Sequence, residues 1–158
     1  MIKFDSFADS NIYFKLDVSI CKDGDKETIA GWMTAYEKKS DREVGDTVWE
    51  KENHDGHLSF HVCRIDVHKQ YRGTGIGREM LTSFGKIARR IGLESSAELS
   101  TKDSQRLWSK IFVTTKDARY EPERGTAFGV IRCDRDLQIV KSRAIQRKES
   151  KMQEALSR

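Results

Sequence analysis

Proline is almost missing from this chain: Pro122 is the only one in 158 residues. Its turns must therefore rest on Gly, Asp and Asn. Cysteine is scarce as well. Cys21, Cys63 and Cys133 are odd in number, widely spaced and form no CxxC pair, which excludes a disulfide framework and points to a reducing, cytoplasmic setting. No stretch approaches the ~18 apolar residues that a membrane span requires. Met1–Ser10 lacks the basic-then-apolar layout of a signal peptide, so neither a membrane anchor nor export is expected. Repeats at solenoid or propeller spacing and low-complexity blocks are absent too.

What is present suits one globular domain. A chain of this length buries roughly 70% of its unfolded surface without a metal or disulfide staple. Charged residues make up 34% and the mean hydropathy is −0.69, but 9% aromatics and clear apolar runs argue against disorder. The basic pI near 9.0 suggests nucleic acid until the charge is located. Residues 134–158 carry seven basic and four acidic side chains, +3 of the chain's net +4. The expected division is a nearly neutral domain over residues 1–133 and a basic, helical C-terminal tail over 134–158. That tail has a sparse stripe of Leu137, Val140, Ala144 and Leu156.

Along the chain, Ile12–Cys21 alternates like a strand, Lys22–Lys26 forms a turn cluster, and Thr28–Lys38 reads as the returning strand of a hairpin. Lys39–Gly56 is charged and poorly patterned, and is expected to be a surface excursion with a short strand near Thr47–Lys51. In His57–Val67, Leu58, Phe60 and Val62 occupy even positions, whereas Cys63, Ile65 and Val67 occupy odd ones. A regular strand cannot keep both sets on one face. Either a β-bulge intervenes near Cys63–Arg64, or the strand is buried on both faces.

Gly75–Ile91 follows as a helix with Ile76, Met80, Phe84, Ile87 and Ile91 on one stripe, ended by Gly92. Leu93–Ser100 reads as a short strand. Thr101–Phe112 reads as a second helix, capped by Thr101 or Asp103. Ala118–Glu123 and Thr126–Arg132 read as a final hairpin turning at Arg124–Gly125. Trp32 and Trp49 are expected to pack in the core or on the sheet. The order predicts a mixed α/β fold with an antiparallel front and a right-handed crossover.

The chemistry concentrates in Tyr71-Arg72-Gly73-Thr74-Gly75-Ile76-Gly77-Arg78, which joins the long strand to the first helix. Three glycines in five residues let the backbone turn and a ligand approach, and the unpaired N–H groups of the helix start favour an anion such as a phosphate. Arg72 and Arg78 add positive charge at the rim. No Gly-Lys-Ser/Thr follows, as a mononucleotide P-loop would need, and the GxGxG spacing misses the dinucleotide pattern.

Val67 to Arg78, followed by Met80-Leu81, resembles the acetyl-CoA-binding motif of the GNAT N-acetyltransferase superfamily, Arg/Gln-x-x-Gly-x-Gly/Ala, with Arg72, Gly75 and Gly77 in its fixed positions. Ile29-Ala30-Gly31-Trp32-Met33 looks like the family's third strand and Thr101–Phe112 like its fourth helix, so residues 12–132 follow the family order. The resemblance implies a GNAT-like, mostly antiparallel mixed sheet around a strand, Gly loop and helix, with a reduced N-terminal helical region. It implies an acetyl-CoA cosubstrate, no metal, and direct attack by a neutral amine. The pyrophosphate would lie on the backbone of Arg72, Gly73, Thr74, Gly75, Ile76, Gly77 and Arg78. The pantetheine arm would pair with the strand around Ile65 and Val67, and the bulge amide would polarise the thioester carbonyl.

Two departures bear on substrate and catalysis. Only about eleven residues precede the first hairpin, where the family places a strand and two helices that shape the acceptor pocket. The acceptor side is then open to a macromolecule, or is covered by residues 39–56 or by the second subunit of a homodimer. Leu107-Trp108 stands where many members have Leu-Tyr, the tyrosine serving as general acid. An indole N–H donates a hydrogen bond but is no acid at neutral pH, so Trp108 would at most donate a hydrogen bond, and Tyr120 or a water would serve as the acid or the thiolate would leave unassisted.

Some relatives place a basic glutamate near the position of Ser59. Here His61 is the candidate general base. His57 and His61 would lie roughly 13 Å apart along a strand, too far to share a zinc ion with Cys63. The expected activity is acetyl transfer to a primary amine, on a protein or a small molecule. The alternatives are a catalytically weak acetyl-CoA-binding module, and a toxin-like enzyme acetylating aminoacyl-tRNA, for which the basic tail would meet RNA.

Overall fold

In the computed structural model, residues 1–54, 56–114 and 126–132 are described. They form eight strands and two helices: β1 (Ile2–Asp5), β2 (Ile12–Asp23), β3 (Lys26–Glu37), β4 (Glu43–His54), β5 (His57–Val67), α1 (Ile76–Arg90), β6 (Glu94–Glu98), α2 (Lys102–Ile111), β7 (Phe112–Thr114) and β8 (Thr126–Ile131). The strands make a single sheet in the order β1-β2-β3-β4-β5-β6-β8-β7. Only the β5–β6 pair is parallel, with α1 as its crossover. This is the mixed, mostly antiparallel α/β architecture that the sequence predicts.

The largest correction concerns Lys39–Gly56. It is no surface excursion: β4 lies between β3 and β5, and Trp49 is fully buried. The short strand expected near Thr47–Lys51 is the middle of β4; its core-facing residues are Gly45, Thr47 and Trp49, too mixed a set to announce the full strand by aliphatic alternation. Trp32 takes the second of its two expected places, on the sheet and not in the core. It pairs across β2 with Asp17 and stays 42% exposed on the outer face. In the opening segment, β1 adds a strand antiparallel to β2, and only six residues join the two.

The core gathers on one face of the sheet, where both helices lie. Phe84 of α1 stacks on Trp49 at 5.1 Å and meets Phe60 edge-on at 5.9 Å. Gly31 makes this approach possible, because a Cβ there would stand 2.4 Å from Phe84 Cε1. The helix stripe is shifted toward its middle: Ile76, Met80, Leu81, Phe84 and Ala88 are buried, while Ile91 is exposed just past the helix end. Gly92, at φ 74°, follows it. Thr101 caps α2 through its side chain and a capping box with Ser104, one of the two caps expected.

The last hairpin differs from expectation. β8 takes Phe112–Thr114 as its antiparallel partner, so Phe112 opens a strand and does not close a helix. The predicted strand Ala118–Glu123, its turn, Tyr120, Cys133 and the tail 134–158 lie outside the described residues.

Candidate active site

The β4–β5 register slips between Val48 and Trp49: Val48 pairs with Arg64 and Trp49 with Val62. Cys63 is thus the extra residue of a bulge, where the broken parity of the sequence places it. Thr47 fixes the irregularity. Its hydroxyl donates to the Arg64 carbonyl at 2.8 Å and accepts from Trp49 Nε1 at 3.0 Å. Both sequence alternatives hold in part, since Ser59 to Val62 is also buried on both faces.

On its other side β5 meets β6 only from Ser59 to Val62, opposite Glu94 to Ala97. Beyond Val62 the two strands part. The β6-facing edge of Cys63–Val67 has no strand partner among the described residues, while its β4-facing edge stays paired through Ile65 and Val67. The parting opens a cavity of about 590 Å³ lined by Cys63, Arg64 and Ile65 on one side and by residues 97–101, Leu107 and Trp108 on the other.

At the base of the parting stands a polar row. Ser59 Oγ and Ser96 Oγ are 2.6 Å apart, and His61 Nδ1 is 2.8 Å from Ser96 Oγ. All three side chains are buried. Glu52 also lines the cavity and brings Oε2 to 3.9 Å from His61 Nδ1. It escaped the sequence reading because the strand expected near Thr47–Lys51 stopped short of it, whereas β4 runs on to His54. Glu50, Glu52 and Cys63 bring their ligand-type atoms within 4.8 Å of one another. Burial pushes the Cys63 thiol up to about 11, and the charges of Glu50 and Glu52 add to the effect. His57 is engaged elsewhere, with Nε2 2.8 Å from Glu94 Oε2 and its ring edge-on to Phe128.

Trp108 lines the cavity, yet its indole nitrogen is buried without a hydrogen-bond partner. That nitrogen lies 3.5 Å from where a Cβ on Gly129 would sit, and the ring stacks on Phe112 at 4.0 Å. The indole therefore sits against β8.

The glycine loop leaves the end of β5 through a short 3₁₀ turn at Lys69–Tyr71. Tyr71 ties it to the neighbouring strands: its hydroxyl donates to Glu37 Oε1 at 2.9 Å and accepts from Arg42 Nη2 at 3.3 Å. Hydrogen bonds from Ser40 first and Tyr71 second hold the Glu37 carboxyl below its ordinary value. Arg72 donates through Nε to the Val67 carbonyl at 2.8 Å, bracing the turn. Gly73 and Gly75 adopt φ of 80° and 97°, a left-handed region that disfavours side chains. The first helical bond runs from Glu79 N–H to the Gly75 carbonyl. The amides of Ile76, Gly77 and Arg78 thus precede the helical ladder. Arg78 Nη2 is buried with no hydrogen-bond partner among the described residues.

An open strand edge leads past a cavity to a helix N-terminus flanked by an unpaired guanidinium nitrogen. This arrangement suits an extended ligand with an anionic end. Residues 4–112 match the model of the acetyltransferase (GNAT) family. The chain belongs to the GNAT acetyltransferase family. No curated protein matches this GNAT chain in sequence. Among solved structures it is similar to KacTA in complex with DNA and to AtaTR bound with acetyl-CoA. Each is 12% identical with a TM-score of 0.50, over 63% of this chain and 66% of that one. A ribosomal-protein-alanine N-acetyltransferase from Brucella melitensis biovar Abortus 2308 is 20% identical over 58% of this chain and 69% of its own, with a TM-score of 0.43. The GNAT chain thus spans just under two thirds of the first two. At such identities the likeness shows the fold alone.

Proposed function

We propose that the protein is an acetyl-CoA-dependent N-acetyltransferase that acts on a primary amine, of a protein or a small molecule. The observation that carries the reading is the unpaired edge of Cys63–Val67, running into the loop Arg72–Arg78. An amide-bearing arm can add to that edge as a strand does, and a pyrophosphate suits the helix start beyond it. Acetyl-CoA has both, and the fold neighbour AtaTR is bound with it. Ile65 and Val67 would hold the arm. The backbone of Gly73, Thr74, Gly75, Ile76 and Gly77, with the side chain of Arg78, would hold the phosphates, and Arg72 would keep the turn in shape.

The cosubstrate supplies an activated acetyl group. The protein's part is to place an amine beside it, to remove its proton and to stabilise developing negative charge. The bulge at Cys63 offers a backbone amide for the oxyanion. His61 is the base: with Nδ1–H donating to Ser96 Oγ, Nε2 is the nitrogen that accepts the proton. Glu52, beside it in the cavity wall, brings Oε2 to 3.9 Å from its Nδ1. Trp108 walls the acyl end, and its buried nitrogen against Gly129 leaves protonation of the thiolate to water or to Tyr120. Among the described residues no helix is long and apolar enough to cross a membrane.

Titration calorimetry with acetyl-CoA tests the reading, alongside Gly75→Glu with its fold checked by circular dichroism. Micromolar binding that the variant loses, followed by acetyl transfer to an amine panel, is the expected result. Absence of binding by the wild type would overturn it.

A further inference from the structure

The six residues between β1 and β2 form a rigid loop. Ser6 is buried, and its amide donates to the Ile12 carbonyl. Its hydroxyl donates to Glu79 Oε2 at 2.6 Å and accepts from the amides of Ala8 and Asp9. Glu79, in the first turn of α1, also accepts from the Phe7 amide at 2.9 Å and from the Ala8 amide at 3.2 Å. Asp9 closes the loop with its side chain to the Asn11 amide and its carbonyl to the Ile12 amide. The amides of Ser6, Phe7, Ala8 and Asp9 are thus all bonded, and the backbone has little freedom left.

Against this order one side chain stands out. Phe7 is 95% exposed, although its backbone is pinned to α1. Scattered apolar residues on a surface need no explanation. A phenyl on a backbone already ordered is different, because little further backbone ordering opposes stacking on it. Its position says what would stack. The neighbouring Ala8 places its methyl 3.1 Å from where a Cβ on Gly75 would be, so Phe7 stands at the phosphate end of the site. None of residues 6–9 lines the cavity between β5 and β6 where acyl transfer is placed. In a CoA thioester, the group attached to the pyrophosphate on the side away from the acyl arm is adenosine.

We propose that Phe7 is a stacking platform for the adenine base of the cosubstrate, held in place by the Ser6–Glu79 clamp. Phe7 binds the base, while Ser6 and Glu79 are positioning residues. The inference rests on the acetyl-CoA reading above, and its test is built to fail separately. Phe7→Ala should raise KM for acetyl-CoA about tenfold, since stacking of a base on an aromatic ring has that order of effect. The change should appear in KM and not in kcat. Phe7→Tyr should restore the wild-type value and Phe7→Leu should not, which separates a flat ring from apolar bulk.

S-acetylpantetheine, which has no base, should show the same KM with wild type and Phe7→Ala. In Phe7→Trp, the added indole emission should be quenched on binding CoA and unchanged by pantetheine. Ser6→Ala should shift KM in the same ligand-selective way, by less. Wild-type affinity of Phe7→Ala for acetyl-CoA would overturn the platform and leave the acetyl-CoA reading standing. An equal loss with acetylpantetheine would also overturn it, because the ring would then act on the arm or on the fold. Failure of the wild type to bind acetyl-CoA at all would overturn both.

Discussion

His61 and Ser96 join β5 to β6 by a side-chain hydrogen bond of 2.8 Å, one residue before the last paired position of the two strands. A base placed there is held by the sheet itself, at the edge of the cavity it would serve. His61→Gln keeps a polar group of similar reach but cannot take up a proton. It should lower kcat on the order of 100-fold and remove the acidic limb of the pH profile. Steady-state rates from pH 5 to 9 check this. Ser96→Ala should give a smaller loss with the limb retained.

Trp108 gives a contrasting expectation. Its nitrogen is buried and unpaired, so replacing the indole removes no hydrogen bond present in the structure. Trp108→Phe should leave kcat near wild type and cost less stability than the roughly 3–5 kcal/mol of a Trp→Ala truncation. Urea unfolding together with kinetics tests both parts. A large drop in kcat alone would return the indole to the chemistry.

Gly31 and Phe84 set a limit on packing. Gly31→Ala would place a methyl 2.4 Å from Phe84 Cε1 in a core where Phe84 also touches Trp49. The ring must move, and overpacking of this kind costs about 1–3 kcal/mol. A lowered midpoint in urea, with an unchanged m-value, is the expected outcome.

Cys63 faces the cavity, yet its thiol is pushed up to about 11. In a Cys21→Ser, Cys133→Ser background, alkylation by iodoacetamide should be slow at pH 8 and should rise as the pH approaches 11. Mass spectrometry of the modified fraction against pH reads this directly. Glu50→Gln with Glu52→Gln should move the rise to lower pH, because two negative neighbours are removed.

The depressed Glu37 carboxyl makes the glycine loop sensitive to acid. A carboxylate whose folded value lies below its unfolded one contributes stability above the unfolded value, and loses it as the pH falls through the folded one. Below the ordinary carboxylate range the anchor from Tyr71 to Glu37 should weaken. Tyr71→Phe should reduce that acid sensitivity, as thermal melts from pH 3 to 6 would show.

The elements legible in the sequence were those whose signal is local. The bulge at Cys63 showed as a change of parity, α1 as a four-residue stripe, and α2 as a capping threonine. β4 showed only as a short strand near Thr47–Lys51, and its full length stayed hidden because its core face is Gly45, Thr47 and Trp49 and its other face carries Glu50 and Glu52. Glu52 belongs to a cavity, which no window of adjacent residues reveals. The Ser6–Glu79 clamp joins residues 73 apart and leaves no trace in either segment. Trp108 was found by alignment with a family position, but its nitrogen's place against Gly129 depends on β8.

That clamp also imposes an order on synthesis. Ser6, Phe7 and Ala8 leave the ribosome more than seventy residues ahead of Glu79. At roughly 5–20 residues per second, the interval is about 4–15 s. Throughout it the loop lacks the carboxylate that gathers its amides. The nascent β1–β2 unit must therefore wait, its turn unfastened, until the first turn of α1 emerges.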